Sequence, residues 1–526
     1  MQMLSAGRVR LIAAFHRHFR RILRCPEAAL ADRTVRACSF YSTNPVKMTA
    51  IVDTIKSVIG MGDKAASKDL TEEENLEGKV LQAAKDKYGL DEDKLKPHQK
   101  GSCIDILSGK DVSIIQPPGG GKSMCFVLPT LVSSRRALVV EPVPPLMFDQ
   151  KDSLEEKGLH VAVIDNTYTD AEGKNKDVDV AALIKKVDIT YCTPDSIFDE
   201  KGNRTKVLDA LIALNEAEKF ALIALDEAHL CWHGMRPQFK ALTTLKDLFP
   251  NVPLMAATGT ATKKNRERLL KEFLRADRSV EYWSSVDSPH IQTRCRYVEV
   301  QSGASKHKKL TDHPEETKTT PEDWKGLVKL VAEEAGNESA LLFYDNQEAV
   351  DVIAEAFRKY ASKIKVLTYT GEYDTKKQAE ILKKWQDNEA SLIVATSAFG
   401  HGVSRNDVRH VYHLGVPQSL EEWVQEAGRA GRDNKPATAT LLWHDLTPEG
   451  MAFEGLSKED REEAISRVKA VLSYSTSREC RRGVLLKYFG EEMEKNTCDN
   501  CDICLKLPAH EKIVIHPHKA DAKLDL

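Results

Sequence analysis

No stretch of this sequence approaches the roughly 18 uninterrupted apolar residues that a membrane-spanning helix needs, so no membrane partner is expected. Cysteine is sparse for the length: eleven in 526 residues, with Cys25, Cys38, Cys103, Cys125, Cys192, Cys231 and Cys295 scattered. That excludes a disulfide framework and points to a reducing compartment. Strong charge of one sign is also missing, since the formal net charge is -3. Any polyanionic partner must therefore be met by a local basic cleft and not by the field of the whole molecule. No internal repeat at a 20–50 residue period is visible, which excludes solenoid and propeller arrays.

The charge is unevenly spread. Residues 1–47 hold nine Lys/Arg and two acids. Phe15, Phe19, Ile22 and Leu23 recur at helical spacing opposite Arg17, Arg20, Arg21 and Arg24. An Arg-rich, acid-poor amphipathic leader reads as a mitochondrial transit peptide, with a basic arm as the alternative. Mitochondrial targeting of the full-length form is therefore expected, with a nuclear location as the other compartment.

Residues 48–75 are polar and charged and read as a linker. From 76 to 280, apolar strand-like runs (Val112–Gln116, Ala137–Glu141, Val161–Asp165, Ile189–Cys192, Ala221–Asp226, Leu254–Thr258) alternate with amphipathic segments. Residues 301–323 read as a linker or surface insertion. Within 281–446 the alternation resumes at Ala340–Tyr344, Ile364–Thr368, Ser391–Ala395, His410–Leu414 and Ala439–Trp443. The pattern predicts an α/β fold with two tandem parallel-sheet domains. Residues 447–510 then read as a small helical cysteine-bearing subdomain, and 511–526 as a polar tail.

Chemistry concentrates at a few places. Gln116-Pro117-Pro118-Gly119-Gly120-Gly121-Lys122-Ser123 follows a strand and opens a helix. Glycines let backbone N–H groups approach phosphate oxygens, Lys122 neutralises β/γ-phosphates, and the Ser123 hydroxyl suits Mg²⁺. Farther on, the strand ending at Leu225 runs into Asp226-Glu227-Ala228-His229. Adjacent carboxylates at a strand's C-terminal end suit phosphoryl transfer, Asp226 through the metal and Glu227 as general base. Gly428-Arg429-Ala430-Gly431-Arg432 places two guanidiniums three residues apart, expected on one helical face. They read either as an arginine finger reaching from the second domain or as a surface phosphate clamp. Cys480-x₁₇-Cys498-x₂-Cys501-x₂-Cys504 suits one closed, structural Zn²⁺ site. A redox pair and an iron–sulfur cluster are the alternatives.

In order and spacing this set resembles the RecQ family of DNA helicases, from about residue 80 to 506. Lys94-Leu95-Lys96-Pro97-His98-Gln99 is similar to the family's adenine-reading segment, which implies nucleotide contacts for Lys96 and Gln99. The segment from Glu141 to Asp149 and Gln150 implies DNA contacts at the last two. Thr193-Pro194-Asp195, Thr258-Gly259-Thr260 and Ala398 to Gly402 also match. His229, Thr258, Thr260 and Gln425 are implied to couple hydrolysis to DNA. The resemblance implies two RecA-like domains, ATP and Mg²⁺ as cofactors, a zinc subdomain, and 3′-to-5′ movement on single-stranded or tailed duplex DNA.

Three departures qualify that expectation. The segment after His229 is shorter than the family form, yet Trp232 could stack on a base and Arg236 could grip phosphate; Trp232 packed in the core is the rival reading. Pro118 and Leu95 stand where a Thr and an aromatic are usual. Only 22 residues follow Cys504, too few for a winged helix. Weak unwinding, a partner protein that supplies strand separation, a DNA-stimulated translocase or strand-annealing protein, and a degenerate DNA-binding scaffold all follow as alternatives.

Overall fold

Strand runs that are apolar at every position form only where both sheet faces are covered. The computed structural model describes residues 63–117, 119–165, 180–232, 237–300, 320–400, 405–444, 458–508 and 510–515. In it such runs build two seven-stranded sheets. The first contains β1 (Asp111–Ile115), β2 (Ala137–Val140), β3 (Val161–Ile164), β4 (Ile189–Cys192), β5 (Leu222–Leu225), β6 (Leu254–Thr258) and β7 (Ser279–Trp283) in the order β3-β4-β2-β5-β6-β1-β7. Every pairing is parallel. Alternate residues feed two cores. Leu138, Val140, Ile223 and Leu225 face one, and Val139, Leu222, Ala224 and Met255 the other.

The second sheet contains β8 (Ile291–Val300), β9 (Ala340–Phe343), β10 (Val366–Tyr369), β11 (Leu392–Ala395), β12 (His410–Leu414), β13 (Ala437–Trp443) and β14 (His510–Ile515), ordered β10-β11-β9-β12-β13-β8-β14 and again all parallel. Its faces are filled by clusters around Trp385, Trp423 and Phe399, and around Trp324, Phe357 and Tyr412. The predicted two tandem parallel-sheet domains are therefore present.

The boundaries differ in detail. β7 pairs with β1, so the first domain runs through Trp283 and not to 280, and the crossing segment lies between Trp283 and Ile291. Residues 63–75, expected as linker, belong to a helix spanning Asp63–Tyr88. Residues 511–515, expected as the start of a polar tail, belong with His510 to a strand that pairs with β8. The leader at 1–47, most of 301–323, Pro118 and Arg236 lie outside the described residues, as do the side chains of Cys231 and Trp232.

Five helices position the chemistry: α1 (Pro97–Leu107), α2 (Met124–Ser133), α3 (Pro144–Glu155), α4 (Leu420–Ala427) and α6 (Arg481–Phe489), with α5 (Lys458–Thr476) supporting the last. Ser419 caps α4 by accepting the Glu422 N–H at 3.1 Å. α6 stops at Gly490, whose φ of 82° is open to glycine at little cost.

Candidate active site and metal centre

β1 ends at Ile115, and the chain turns through Gly119 (φ 78°) and Gly121 (φ 83°) into α2, with Ser123 at its N-cap. The turn is too tight for side chains. A Cβ on Gly120 would lie 2.8 Å from the Pro117 carbonyl oxygen, and one on Gly121 would lie 2.3 Å from Gln99 Nε2. The result is a backbone cradle at a helix N-terminus, the arrangement that receives phosphate.

The segment before α1 braces this loop. Lys96 Nζ donates to the carbonyls of Gly119 (3.2 Å) and Gly120 (3.0 Å), and Gln99 Nε2 donates to Gly121 at 3.0 Å. Gln99 Oε1 accepts the Lys96 N–H at 3.0 Å. Two residues not singled out from sequence join them: His98, 3.1 Å from the Gly120 oxygen, and Ser284, which donates to Gln116 Oε1 at 2.7 Å. Lys96 and Gln99 are thus engaged with the loop itself.

β5 lies two strands from β1, and its end brings Asp226 and Glu227 to the cradle. Lys122 Nζ is 3.9 Å from Glu227 Oε1. Glu227 has φ 43°, a left-handed conformation that costs a non-glycine residue about 1–3 kcal/mol and is typical of functional sites. Burial first, then Glu227, raise the Asp226 carboxyl to about 6. From Glu227 a polar chain runs across the sheet: His229 Nδ1 is 3.3 Å from Glu227 Oε2 and 2.9 Å from Thr258 Oγ1, which donates to the Thr260 carbonyl at 3.1 Å. Three of the four residues expected to couple two sites, His229, Thr258 and Thr260, are therefore linked directly.

The second domain contributes Arg429. It is 4% exposed, and Glu426 and Glu227 are its electrostatic partners of opposite sign, the latter from the first domain. Burial, then Arg432, lower its guanidinium to about 9, so it stays cationic at neutral pH. The two arginines do not share a helical face as predicted. α4 ends at Ala427 and the chain turns at Gly428 and Gly431, where φ is 61° and a Cβ would meet the Lys435 carbonyl at 2.7 Å. Glycine breaks the helix there and fixes the turn. Gln425 is buried on α4 beside a cluster the sequence did not announce: His413, which pairs with Glu426, and Glu422, raised to about 8 by burial, Glu426 and Asp345.

Glu141, also missed, follows β2, and β2 pairs with β5. It is 0% exposed. Oε1 accepts the Val143 N–H at 2.9 Å, whereas Oε2 finds no partner among the described residues. An unsatisfied buried acceptor of this kind costs about 1–3 kcal/mol. Burial, then Asp226 and Glu227, raise its carboxyl well above the usual range. Glu141 and Asp226 leave neighbouring strands side by side, and with the Ser123 hydroxyl they supply hard oxygens, the type Mg²⁺ takes.

The residues expected on DNA are less gathered. Gln150 Oε1 accepts the Tyr191 hydroxyl at 2.6 Å. Asp149 is an exposed acid on α3, unsuited to a phosphate. Trp232 closes a 3₁₀ turn, Ala228–Trp232.

At the other end of the second domain, Cys480, Cys498, Cys501 and Cys504 bring their sulfurs within 4.8 Å of one another. Cys498 and Cys504 are 3.9 Å apart, close to the ~3.8 Å edge of a tetrahedron with Zn–S bonds of about 2.3 Å. The Cys504 N–H points to the Cys501 sulfur at 3.5 Å. The loop is fastened to the domain core. Arg481 forms a buried two-point pair with Asp502 (2.9 and 3.1 Å), and Asp502 accepts the Cys295 N–H of β8 at 3.0 Å. Leu486 and Phe489 of α6 enter the same core as Trp423.

Fold and site together define a P-loop protein of two RecA-like domains with a four-cysteine metal centre. Residues 96–269 match the DEAD/DEAH box helicase family, 322–434 the helicase conserved C-terminal domain, and 448–505 the RecQ zinc-binding family. Taken together, the three matches make residues 96–505 similar to the RecQ family of helicases. It is 30% identical over 408 residues to the ATP-dependent DNA helicase RecQ of Pasteurella multocida, covering 76% of this chain and 58% of that protein. It is 28% identical to the ATP-dependent DNA helicase Q1 of Pongo abelii, covering 83% and 63%. The Mycobacterium smegmatis helicase Lhr, solved with ssDNA and AMP-PNP, shares the fold at a TM-score of 0.50 and 15% identity, covering 76% of this chain and 57% of that one. The chain spans 58%, 55% and 60% of the lengths of three curated relatives.

Proposed function

We propose that this chain is an ATP-dependent DNA helicase that moves 3′-to-5′ on single-stranded DNA and separates duplex strands. The observation that carries the reading is Lys122 beside Glu227 in one RecA-like domain, with Arg429 of the other within electrostatic reach of the same Glu227. The relatives' names supply DNA as the substrate class.

In this reading the Gly119–Gly121 backbone holds the nucleotide phosphates and Lys122 faces the β/γ oxygens. A bound Mg²⁺, held by Ser123 and Asp226, would neutralise charge between those phosphates. Glu227, fixed by its left-handed backbone and by His229, takes the proton of the attacking water. Arg429 stabilises charge on the departing phosphoryl group once the domains close, with Arg432 three residues on as its auxiliary. Because that group comes from the second domain, hydrolysis and domain motion are tied together. His229, Thr258 and Thr260 pass the state of Glu227 across the sheet, and Gln425 does the same from α4. Trp232 stacks on bases, Arg236 holds a phosphate, and Gln150 and Asp149 contact DNA away from its phosphates.

The test is strand separation of a 3′-tailed, a 5′-tailed and a blunt duplex with ATP. Preference for the 3′ tail is expected. DNA-stimulated hydrolysis with no separation of any substrate would replace the helicase by a translocase, or by a motor that needs a protein partner to part the strands.

The cysteine site is proposed to hold one structural Zn²⁺ per chain. Cys498→Ser should release most of the zinc and lower the thermal transition sharply, because the metal's binding energy is folding energy for the loop that Asp502 anchors. Zinc near zero in folded wild-type protein would contradict this. Residues 1–47 are proposed to direct the full-length form to mitochondria, and a reporter fused to them that stays diffuse would reject that assignment.

A further inference from the structure

The carboxyl of Glu141 has no role in the reading above, yet it sits where that reading places its chemistry. β2 and β5 are hydrogen-bonded neighbours, and the Asp226 N–H bonds the Val140 carbonyl at 2.9 Å, so Glu141 and Asp226 leave adjacent strands side by side. Asp226, Glu227, Lys122 and Tyr191 are among the ionisable groups that act on Glu141 or are acted on by it. Two buried carboxyls, Glu141 and Asp226, therefore stand on neighbouring strands with other charge close by. A buried like-charged set of this kind keeps its protons or takes up a cation.

Packing does not explain Glu141. A neutral residue could cap the same turn by accepting the Val143 N–H, which needs only Oε1. Oε2 remains a fully buried acceptor with no hydrogen-bond donor among the described residues. We propose that Glu141 is a second carboxylate of the divalent-cation site, holding together with Asp226 the ion that accompanies the nucleotide. The inference rests on the nucleotide-site assignment above and adds a residue to it. Mg²⁺ is usually held by one or two carboxylates plus phosphate oxygens and waters. A second carboxylate at the site raises its affinity for the ion and makes ion-free protein less stable.

The experiment uses the full chain and Mn²⁺ as the probe, with free Mn²⁺ read by electron paramagnetic resonance in the presence of ADP. Glu141→Gln keeps the size and the Val143 acceptor, and Glu141→Ser serves as a second variant if the first does not fold. ADP binding without metal should be unchanged, whereas Mn²⁺ affinity should fall about 10- to 100-fold, the usual range for groups that tune a metal site. The thermal transition without ions should equal or exceed that of wild type, and the gain on adding Mg²⁺ and ADP should shrink. Wild-type Mn²⁺ affinity and an undiminished gain in the variants would overturn this inference alone. Absence of ADP binding in the wild type would overturn the nucleotide-site assignment and this inference with it.

Discussion

Lys122→Ala is expected to reduce ATP hydrolysis by about 100- to 1,000-fold or more, the cost of removing a charge aimed at the developing transition state. The residue has little other work in the structure. Among the described residues its ammonium reaches only the Gln116 carbonyl at 3.5 Å and Glu227 at 3.9 Å, both long contacts. Alanine at the N-terminal approach to α2 adds no strain, so the protein should stay folded with an unchanged thermal transition. Steady-state phosphate release, measured beside that transition, separates loss of chemistry from loss of fold. Hydrolysis at the wild-type rate would place the phosphate site elsewhere.

Arg429→Ala should be as damaging by a different route. Arginines in this role contribute roughly 10³- to 10⁵-fold to phosphoryl transfer, and the substituted protein should still bind nucleotide because the phosphate cradle lies in the other domain. A fluorescent ADP analogue would bind normally while turnover falls by at least about 1,000-fold. Arg429→Lys should not rescue, since a point charge does not reproduce the planar fork. Burial makes the variant's folding a fair concern, so the thermal transition belongs in the same measurement. Loss of nucleotide binding with turnover spared at saturation would assign Arg429 to a binding clamp instead.

The two sheets were readable because their central strands are covered on both faces, which writes them as unbroken apolar runs such as Ala-Leu-Val-Val and Leu-Ile-Ala-Leu. The same physics hid β7, β8 and β14, which close one side of each sheet. Ser-Val-Glu-Tyr-Trp of β7 and the charged β8 alternate polar with apolar, and β14 was absorbed into a polar tail. The nucleotide residues were readable because glycine spacing and paired acids leave few other uses. Glu141 was not, since an acid at the end of a strand looks like any strand end until β5 is placed beside it. The arginine pair was found by composition, yet its helical face was wrong because Gly428 and Gly431 turn the chain. Lys96, which caps α1, and Gln99 in its first turn were expected at the nucleotide, and the structure shows the further task of bracing the loop.

Coupling between the nucleotide site and a nucleic-acid track is the centre of this account. It rests on the chain from Glu227 through His229 to Thr258, and on Arg429 arriving from the second domain. The most direct test is ATP hydrolysis by the full chain with and without single-stranded DNA, with Lys122→Ala as the blank. A rate that rises severalfold or more with DNA, and stays at background in the blank, is the predicted result. Hydrolysis that is fully active without DNA and unmoved by its addition would contradict the account.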